Sequence, residues 1–325
     1  MDPQLVLFRR QYLQLVEPDF LAWPPKQLLR DPDVQAWLYR RLFDPERNER
    51  LPPERYQLRV VKPLLAKIEA AIEDPEEDVK TTAVQQKTYV TFSCIAPGKR
   101  WSADPEIEPT VTLLERRHLI SGSLTTGFRT WEAALHLGSY LLTADGSDLI
   151  RETSVLELGA GTGFLSILSA KHLEAKHVTA TDGDEGVVEA LRENLYLNGL
   201  DHGETIVTSI LRWGRGLKGT WVEEDCEAWP YDTVIGADIT YDKAGISALV
   251  ATLRFLFDMR PELKVIISGA VRNAETFETF RSACLRSKFT LDEVGFEPNT
   301  MREQTALFYA TAVPLKILKI TREAS

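Results

Sequence analysis

The stretch VLELGAGTGFL (155–165) places Gly159, Gly161 and Gly163 between an apolar run and a run with helical spacing. Glycines at such a junction let the backbone turn sharply and approach a ligand without a Cβ clash. A dinucleotide-binding loop reads G-x-G-x-x-G and a phosphate-binding loop contains G-K-[ST], whereas this one reads G-x-G-x-G after Glu157. We therefore expect a cofactor-binding loop of another kind, in which a side chain at Gly161 would occupy ligand space.

A second acidic residue supports this interpretation. Asp182 ends the next apolar run, HVTATD (177–182), which predicts the neighbouring strand. A carboxylate at that position can accept hydrogen bonds from both ribose hydroxyls. This geometry fits any cofactor that carries an adenosine group.

From about residue 150 onward, short apolar runs alternate with segments of helical periodicity. This alternation predicts a doubly wound parallel α/β sheet. The last two strands are joined by the short stretch EPNTMREQT, which leaves no room for a helical crossover, so we expect an antiparallel hairpin at the sheet edge. The predicted strands are 154–159, 177–182, 205–210, 231–238, 263–269, 289–296 and 306–318, and the predicted helices are 164–173, 185–199, 246–257 and 274–287.

The first third of the chain has a different pattern, which is mainly helical. Apolar residues recur at helical spacing, and two later stretches favour strands. We therefore expect a mainly helical region at 1–110, with a role in substrate docking, and a catalytic domain at 111–325. The predicted helices are 5–16, 34–43 and 59–72, the acidic stretch EDPEEDVK (73–80) is expected to be a solvated turn, and strands are expected within 87–101 and 111–120.

Composition narrows the class of protein. The chain has 44% hydrophobic and 26% charged residues, which is ordinary for a globular protein. The net charge of −10 argues against nucleic acid as the main partner and is compatible with a basic protein substrate. No apolar run approaches the roughly 20 residues that span a bilayer, and the N-terminal residues lack the pattern of a secretory signal.

Cysteine and histidine usage shows no chemical motif. Cys94, Cys226 and Cys284 lie far apart without metal-ligand spacing, which indicates a reducing compartment and buried apolar roles. The five histidines form neither a catalytic triad nor a metal pattern. We expect a cytoplasmic protein without a metal, and a monomer.

The combination of these motifs resembles a known class of enzyme. Glu157-x-Gly159-x-Gly161-x-Gly163, Asp182 and the terminal hairpin are similar to a class I, seven-strand methyltransferase, over roughly residues 115–320. This resemblance implies a Rossmann-like fold with a seven-stranded sheet. It also implies S-adenosylmethionine as the cofactor.

Three further stretches give a narrower resemblance. They are TTGFRTWEAALHL (125–137), ILRWG (210–214) and GADITYD (236–242), and together they resemble the family 16 protein-lysine methyltransferases. The form of the first stretch, after an extension of more than a hundred residues, looks closest to the elongation factor 2 lysine methyltransferase branch. The resemblance implies a protein substrate, elongation factor 2, and neither a nucleic acid nor a membrane as partner.

The resemblance also implies the residues that hold the cofactor. Trp131 would pack near the methionine end, Asp182 would hold the ribose and Trp213 would lie against the adenine. Glu157 would act through the loop or a water molecule. The implied cofactor-binding residues are Trp131, Glu157, Gly159, Ala160, Gly161, Gly163, Asp182, Trp213 and Ala237.

Asp238 and Tyr241 are the candidate catalytic residues. A carboxylate at the end of an apolar strand is costly unless something there uses it. The ends of parallel strands form the ligand-binding edge of such sheets. We expect Asp238 to orient the acceptor lysine, with Tyr241 beside it, while Arg129 has three open interpretations: contact with the substrate, a partner for Asp238, or packing at the start of a helix.

Other functions remain open from the residues alone. A nucleic-acid amino methyltransferase often has two prolines and an aromatic residue at this strand end, whereas this chain has Asp238-Ile239-Thr240-Tyr241. A nicotinamide dehydrogenase would need a different third glycine and an acid–base partner. A non-catalytic binding module with the same fold is the remaining alternative, because a fold does not dictate a function.

Overall fold

The computed structural model describes residues 2–72, 87–99, 108–116, 126–203 and 205–322. The chain divides into two compact units: the first is Met1–Ser123 with Gln304–Phe308, and the second is Leu124–Glu303 with Tyr309–Ser325. The acidic stretch 73–80 and His118 lie outside the described residues. The domain boundary expected at residue 110 stays a prediction.

The first unit is mainly helical. Proline at the first helical position and an aspartate cap begin two of its helices, since the side chains of Asp2 and Asp31 accept hydrogen bonds from the backbone N–H groups of Gln4 and Asp33. Its elements are α1 (Pro3–Leu13), α2 (Lys26–Leu29), α3 (Pro32–Leu42), α4 (Glu54–Ile72) and an antiparallel pair, β1 (Thr88–Ser93) and β2 (Thr110–Glu115). The helix expected at 59–72 therefore begins five residues earlier, and Pro63 lies inside it.

A short C-terminal segment belongs to this first unit. Gln14 on α1 accepts a hydrogen bond from the Phe308 N–H at 2.9 Å and donates one to the Phe308 carbonyl. Arg10 donates to the Thr305 carbonyl at 3.2 Å and forms a buried ion pair with Glu108. The strand expected at 306–318 was wrong over 306–314, because β9 begins only at Leu315. At the start of this stretch, side chains of α1 bond the backbone in place of a neighbouring strand.

The second unit contains the alternating part of the chain. It begins with α5 (Glu132–Leu141) and α6 (Ala144–Ser147). The elements that follow are β3 (Ser154–Leu158), α7 (Phe164–His172), β4 (His177–Asp182), α8 (Glu185–Leu197), β5 (Ile206–Ile210), α9 (Trp221–Ala228), β6 (Thr233–Ala237), α10 (Lys243–Met259), β7 (Lys264–Ala270), α11 (Ala274–Arg286), β8 (Phe289–Glu293) and β9 (Leu315–Arg322).

These strands form one seven-stranded sheet in the order β5-β4-β3-β6-β7-β9-β8. The first five are parallel, and β9 is antiparallel to both β7 and β8. All five residues of the central strand β3 are buried, as a strand covered on both faces requires. The expected fold class, a doubly wound sheet with an antiparallel terminal hairpin, is confirmed.

Side-chain caps begin the helices that follow three of the parallel strands. Asp184, Asp242 and Asn273 cap α8, α10 and α11 by accepting hydrogen bonds from backbone N–H groups in the first turn. These caps keep the loops between strand and helix short, so the last residues of β4, β6 and β7 lie together at one edge of the sheet. None of the described helices is both long and apolar enough to cross a membrane.

Candidate active site

A cavity of about 610 Å³ lies at the carboxyl edge of the parallel strands, beside β3, β4 and β6. The chain leaves β3 toward β4 on one side and β6 lies on the other, so this is the crevice where open α/β sheets bind ligands. The volume is in the range of small-molecule sites. Of the residues predicted for the site, those that line the cavity are Trp131, Glu157, Gly159, Ala160, Gly161, Asp182, Trp213, Ala237, Asp238 and Tyr241.

The glycine loop joins β3 to α7 in a left-handed backbone conformation. The φ angles are +67° at Gly159, +53° at Gly161 and +84° at Gly163, a region that side chains disfavour. Gly163 is not among the lining residues; it begins α7, and a Cβ there would lie 2.0 Å from Leu191 Cδ1. Gly163 thus permits close helix packing, while the other two bring the backbone to the cavity.

Asp182 connects the end of β4 to this loop. Its Oδ2 accepts a hydrogen bond from the Gly161 N–H at 3.2 Å, and its Oδ1 accepts one from the Asp184 N–H at 3.1 Å. Burial raises the pKa of Asp182, and these backbone hydrogen bonds act in the opposite direction. Each carboxylate oxygen can accept a further hydrogen bond, so Asp182 can still accept hydrogen bonds from two neighbouring hydroxyl groups of a ligand.

Glu157 lies under the loop and is almost completely buried. Its Oε2 accepts a hydrogen bond from the Ser166 hydroxyl. Burial raises the pKa of Glu157 to about 8, and the negative charge of Asp182 adds to this rise. Without a ligand, Glu157 therefore holds its proton at neutral pH.

Glu157 makes the stability of the unliganded protein depend on pH. Between pH 4.5 and about 8 the folded chain keeps a proton on Glu157 that the unfolded chain has lost, so the free energy of unfolding falls as the pH rises through this window. For Glu157→Gln we expect this decline to vanish, a difference of roughly 4–5 kcal/mol at most. Thermal unfolding from pH 5 to 8.5 measures it.

The exposed Glu227 offers a control for this experiment. Glu227→Gln should keep the wild-type decline. Burial also lowers the pKa of His136 to about 4, which makes the free energy of unfolding rise between pH 4 and 6.5. It raises the pKa of Asp182 as well, which makes the free energy of unfolding fall with rising pH, but both contributions are shared by the two variants. Equal pH profiles of wild type and Glu157→Gln would contradict the protonated state of Glu157.

Two tryptophans line the cavity. Trp213 follows β5, and the edge of its ring comes within 3.5 Å of the point where a Cβ on Gly159 would stand. Trp131 is the residue before α5, and its indole N–H donates to the Thr126 carbonyl at 3.0 Å. The two indole rings provide flat apolar surfaces for an aromatic base and for an aliphatic chain.

Asp238 follows β6 and lies at the rim of the cavity. It adopts a φ of +54°, and its backbone N–H donates to the Ser268 carbonyl at 2.8 Å. Oδ1 accepts from the Ala270 N–H at 3.1 Å and Oδ2 from Arg272 Nη1 at 3.0 Å. Its side chain is 9% exposed, whereas Tyr241 is 64% exposed beside it.

The partner of Asp238 differs from the one considered in the sequence. Arg129 forms an ion pair with Glu132 at 3.2 Å, and Arg272 is the residue that holds Asp238. Of the three interpretations of Arg129, the one as partner of Asp238 was therefore wrong, and its ion pair with Glu132 fits packing at the start of α5. The position of Arg272, two residues after β7 at the same sheet edge, was the signal that could have identified it.

Among the described residues, the histidines and cysteines form no second site. His136 and His177 are buried, and the three cysteines are buried and free. In the part of the chain that the structure describes, no group of three or more His, Cys, Asp or Glu side chains is arranged to hold a metal ion.

Comparisons with known proteins identify the family. A family model described as lysine methyltransferase matches residues 120–283, which include every residue that lines the cavity. The protein-lysine N-methyltransferase EFM3 of Chaetomium thermophilum is 42% identical over 99% of this chain and 98% of its own length. The chain belongs to the lysine methyltransferase family.

Other members of this family match less of the chain. The human protein-lysine N-methyltransferase EEF2KMT is 29% identical over 65% of this chain and 64% of its own length. The mouse EEF1A lysine methyltransferase 3 is 32% identical over 50% of this chain and 64% of its own length. Membership in the lysine methyltransferase family confirms the resemblance, the enzyme class and the expected use of S-adenosylmethionine, while the roles of single residues stay predictions.

Proposed function

We propose that this protein-lysine methyltransferase binds S-adenosylmethionine in the cavity at the sheet edge and methylates a lysine of elongation factor 2. The observation that carries the proposal is the meeting of two sets of residues in one cavity. The glycine loop, Asp182 and Trp213 line the cavity together with Asp238 and Tyr241. The first set suits a nucleoside, and the second suits an amine.

Each cofactor-binding residue has a proposed part. Asp182 accepts hydrogen bonds from the ribose hydroxyls with its remaining lone pairs. Trp213 lies against the adenine, and Trp131 packs near the methionine end. The main chain of Gly159–Gly161 and of Ala237 approaches the cofactor closely, and Glu157 supports the loop from below.

The bound cofactor supplies an activated methyl group, so the protein mainly provides alignment and a suitable charge environment. The acceptor must be a neutral amine, although a solvated lysine has a pKa of about 10.4. Partial desolvation at the cavity rim favours the neutral form. Asp238 accepts a hydrogen bond from this amine and orients its lone pair, Tyr241 forms a wall of the lysine channel, and the proton leaves to water.

The choice of elongation factor 2 rests on two supports. One is the sequence form TGFRTWEA (126–133), which resembles that branch of the family. The other is the similarity to the human protein-lysine N-methyltransferase EEF2KMT. The similarity to EEF1A lysine methyltransferase 3 makes elongation factor 1A the natural comparison.

A labelling experiment tests the substrate. The purified chain is incubated with labelled S-adenosylmethionine and with elongation factor 2, elongation factor 1A or total RNA in separate reactions. We expect label on one lysine of elongation factor 2, located by mass spectrometry, and at least tenfold less on the other two. Label on elongation factor 1A or RNA alone would reject the proposed substrate.

The same assay addresses the first unit. We propose that the region 1–110 docks the substrate. We also propose that the protein is a monomer and that it is cytoplasmic. The first unit has a cavity of about 320 Å³ lined by Trp37, Arg40, Arg41, Arg47 and Asn48. Substitution of Arg40 and Arg47 by serine should raise KM for the protein substrate if this region docks it, and an unchanged KM would count against the docking role.

A further inference from the structure

Four charged side chains form a continuous chain of ion pairs at the rim of the cavity. Asp238 Oδ2 lies 3.0 Å from Arg272 Nη1, and Arg272 Nη2 lies 3.4 Å from Glu132 Oε2. Glu132 Oε1 in turn lies 3.2 Å from Arg129 Nη2. Two carboxylates and two guanidinium groups leave this cluster without net charge.

An aromatic ring holds the two guanidinium groups in place. Arg129 lies 4.7 Å and Arg272 lies 5.5 Å from the centre of the Trp131 ring. Both distances are within the range of cation–π attraction. The hydrogen bond from the Trp131 indole N–H to the Thr126 carbonyl fixes the ring itself.

The backbone brings Asp238 to Arg272 at some cost. Asp238 adopts a left-handed conformation, which aspartate tolerates better than most residues but still disfavours. Its N–H and its Oδ1 are both bonded to the end of β7, the strand that Arg272 follows. Backbone strain of this kind concentrates at functional sites, and here it keeps the carboxylate and the guanidinium together.

The charge state of Asp238 matters for the acceptor amine. A carboxylate without a partner, a few ångströms from an amine, favours the ammonium form and raises its pKa. An ammonium group has no lone pair to accept a methyl group. A carboxylate already paired with a guanidinium keeps its capacity to accept a hydrogen bond, but its attraction for a second cation is weaker.

We propose that Arg272 is a positioning residue for methyl transfer, which balances the charge of Asp238 so that the acceptor lysine reacts as a neutral amine. Arg272 does not touch the reacting atoms; it acts through Asp238. The inference rests on the proposed function, because it requires an amine acceptor at Asp238.

Other charged and titratable groups near Asp238 also contribute to the pH dependence of the reaction. At the starts of the neighbouring helices these are Arg129 and Glu132 at α5, Tyr241 and Lys243 at α10, and Glu275 at α11. Glu157, Asp182 and Arg212 also line the cavity. Lys243 and Glu275 form their own ion pair at 2.7 Å. Arg272 is the cation that contacts Asp238 among the described residues.

The test is the pH dependence of kcat in the full-length chain, with purified elongation factor 2 and saturating labelled S-adenosylmethionine. For Arg272→Gln we expect the acid limb of log kcat to move about one unit to higher pH, because unpaired Asp238 stabilises the ammonium form. This corresponds to a loss of about tenfold at pH 7 that disappears near pH 9. Arg272→Lys, which keeps the positive charge, should retain the wild-type limb.

Arg281 provides the matched control. It is an arginine of similar exposure on α11, paired with Glu278 at 3.7 Å, and Arg281→Gln should leave the profile unchanged. Calorimetry should give equal affinity of Arg272→Gln and wild type for S-adenosylmethionine. A rate that falls by the same factor at every pH would overturn the inference and leave Arg272 a structural role, whereas absence of transfer by the wild type would overturn the proposed function itself.

Discussion

Replacement of Asp238 by alanine should lower kcat by more than ~10²-fold, which corresponds to roughly 3 kcal/mol in the barrier. The variant loses the acceptor that orients the lysine amine, an interaction needed mainly in the transfer step. Affinity for S-adenosylmethionine should change far less, because Asp182 and Trp213 would carry the adenosine contacts. Single-turnover transfer of labelled methyl and calorimetry on the same preparation measure the two quantities.

A second variant shows whether a loss of rate in Asp238→Ala comes from misfolding. Asp238 has a φ of +54°, and its carboxylate bonds both Ala270 and Arg272, so alanine also removes local support. Asp238→Asn keeps the size of the side chain and tolerates this backbone conformation, and it should show a similar loss of rate. The exposed Asp201→Ala is the control for a lost surface carboxylate. If affinity for the cofactor collapses in step with kcat in both variants, Asp238 supports the cavity and does not orient the lysine.

Replacement of Gly161 by valine should reduce affinity for S-adenosylmethionine by at least ~10²-fold. Gly161 has a φ of +53°, which a β-branched residue strongly disfavours, and a Cβ there would lie 3.2 Å from the Gly127 carbonyl oxygen. The loop must shift, and the hydrogen bond from Gly161 N–H to Asp182 is lost with it. Calorimetry with S-adenosylmethionine and with its demethylated product measures the effect.

Gly219 is the matched control for this change. It has a φ of +68°, so valine meets a similar backbone penalty, but nothing lies within 4 Å of its Cβ and it does not line the cavity. Gly219→Val should lose some thermal stability and keep its affinity for the cofactor. Unimpaired binding by a folded Gly161→Val variant would show that the loop does not carry the cofactor.

The structure adds a reason for the Gly161 prediction. The sequence analysis expected a side chain at this position to enter ligand space, and this stays a prediction. The Cβ would also face the backbone of Gly127, so the substitution displaces the loop as well. Which group lies opposite a glycine depends on a distant segment of the chain, and no local pattern reveals it.

Local patterns were enough for most of the strands and helices of the second unit. Apolar residues in short runs predict buried parallel strands, and helical periodicity predicts the helices between them. The bounds of β4 agree with the predicted 177–182, and those of α11 differ from the predicted 274–287 by one residue. The same parallel strand order brings Asp182 and Asp238 to one edge, because strands related by helical crossovers end on the same side.

Contacts between distant segments decided the rest. Strand β9 begins at Leu315 and lies between β7 and β8, while the backbone of Thr305 and Phe308 bonds side chains of α1. The ion pairs among Asp238, Arg272 and Glu132 join residues up to 140 positions apart. Periodicity and glycine spacing are properties of neighbouring residues and can be read along the chain. The partner of a carboxylate depends on the packing of the whole sheet edge. Only the tertiary structure therefore shows which cation balances the charge of Asp238.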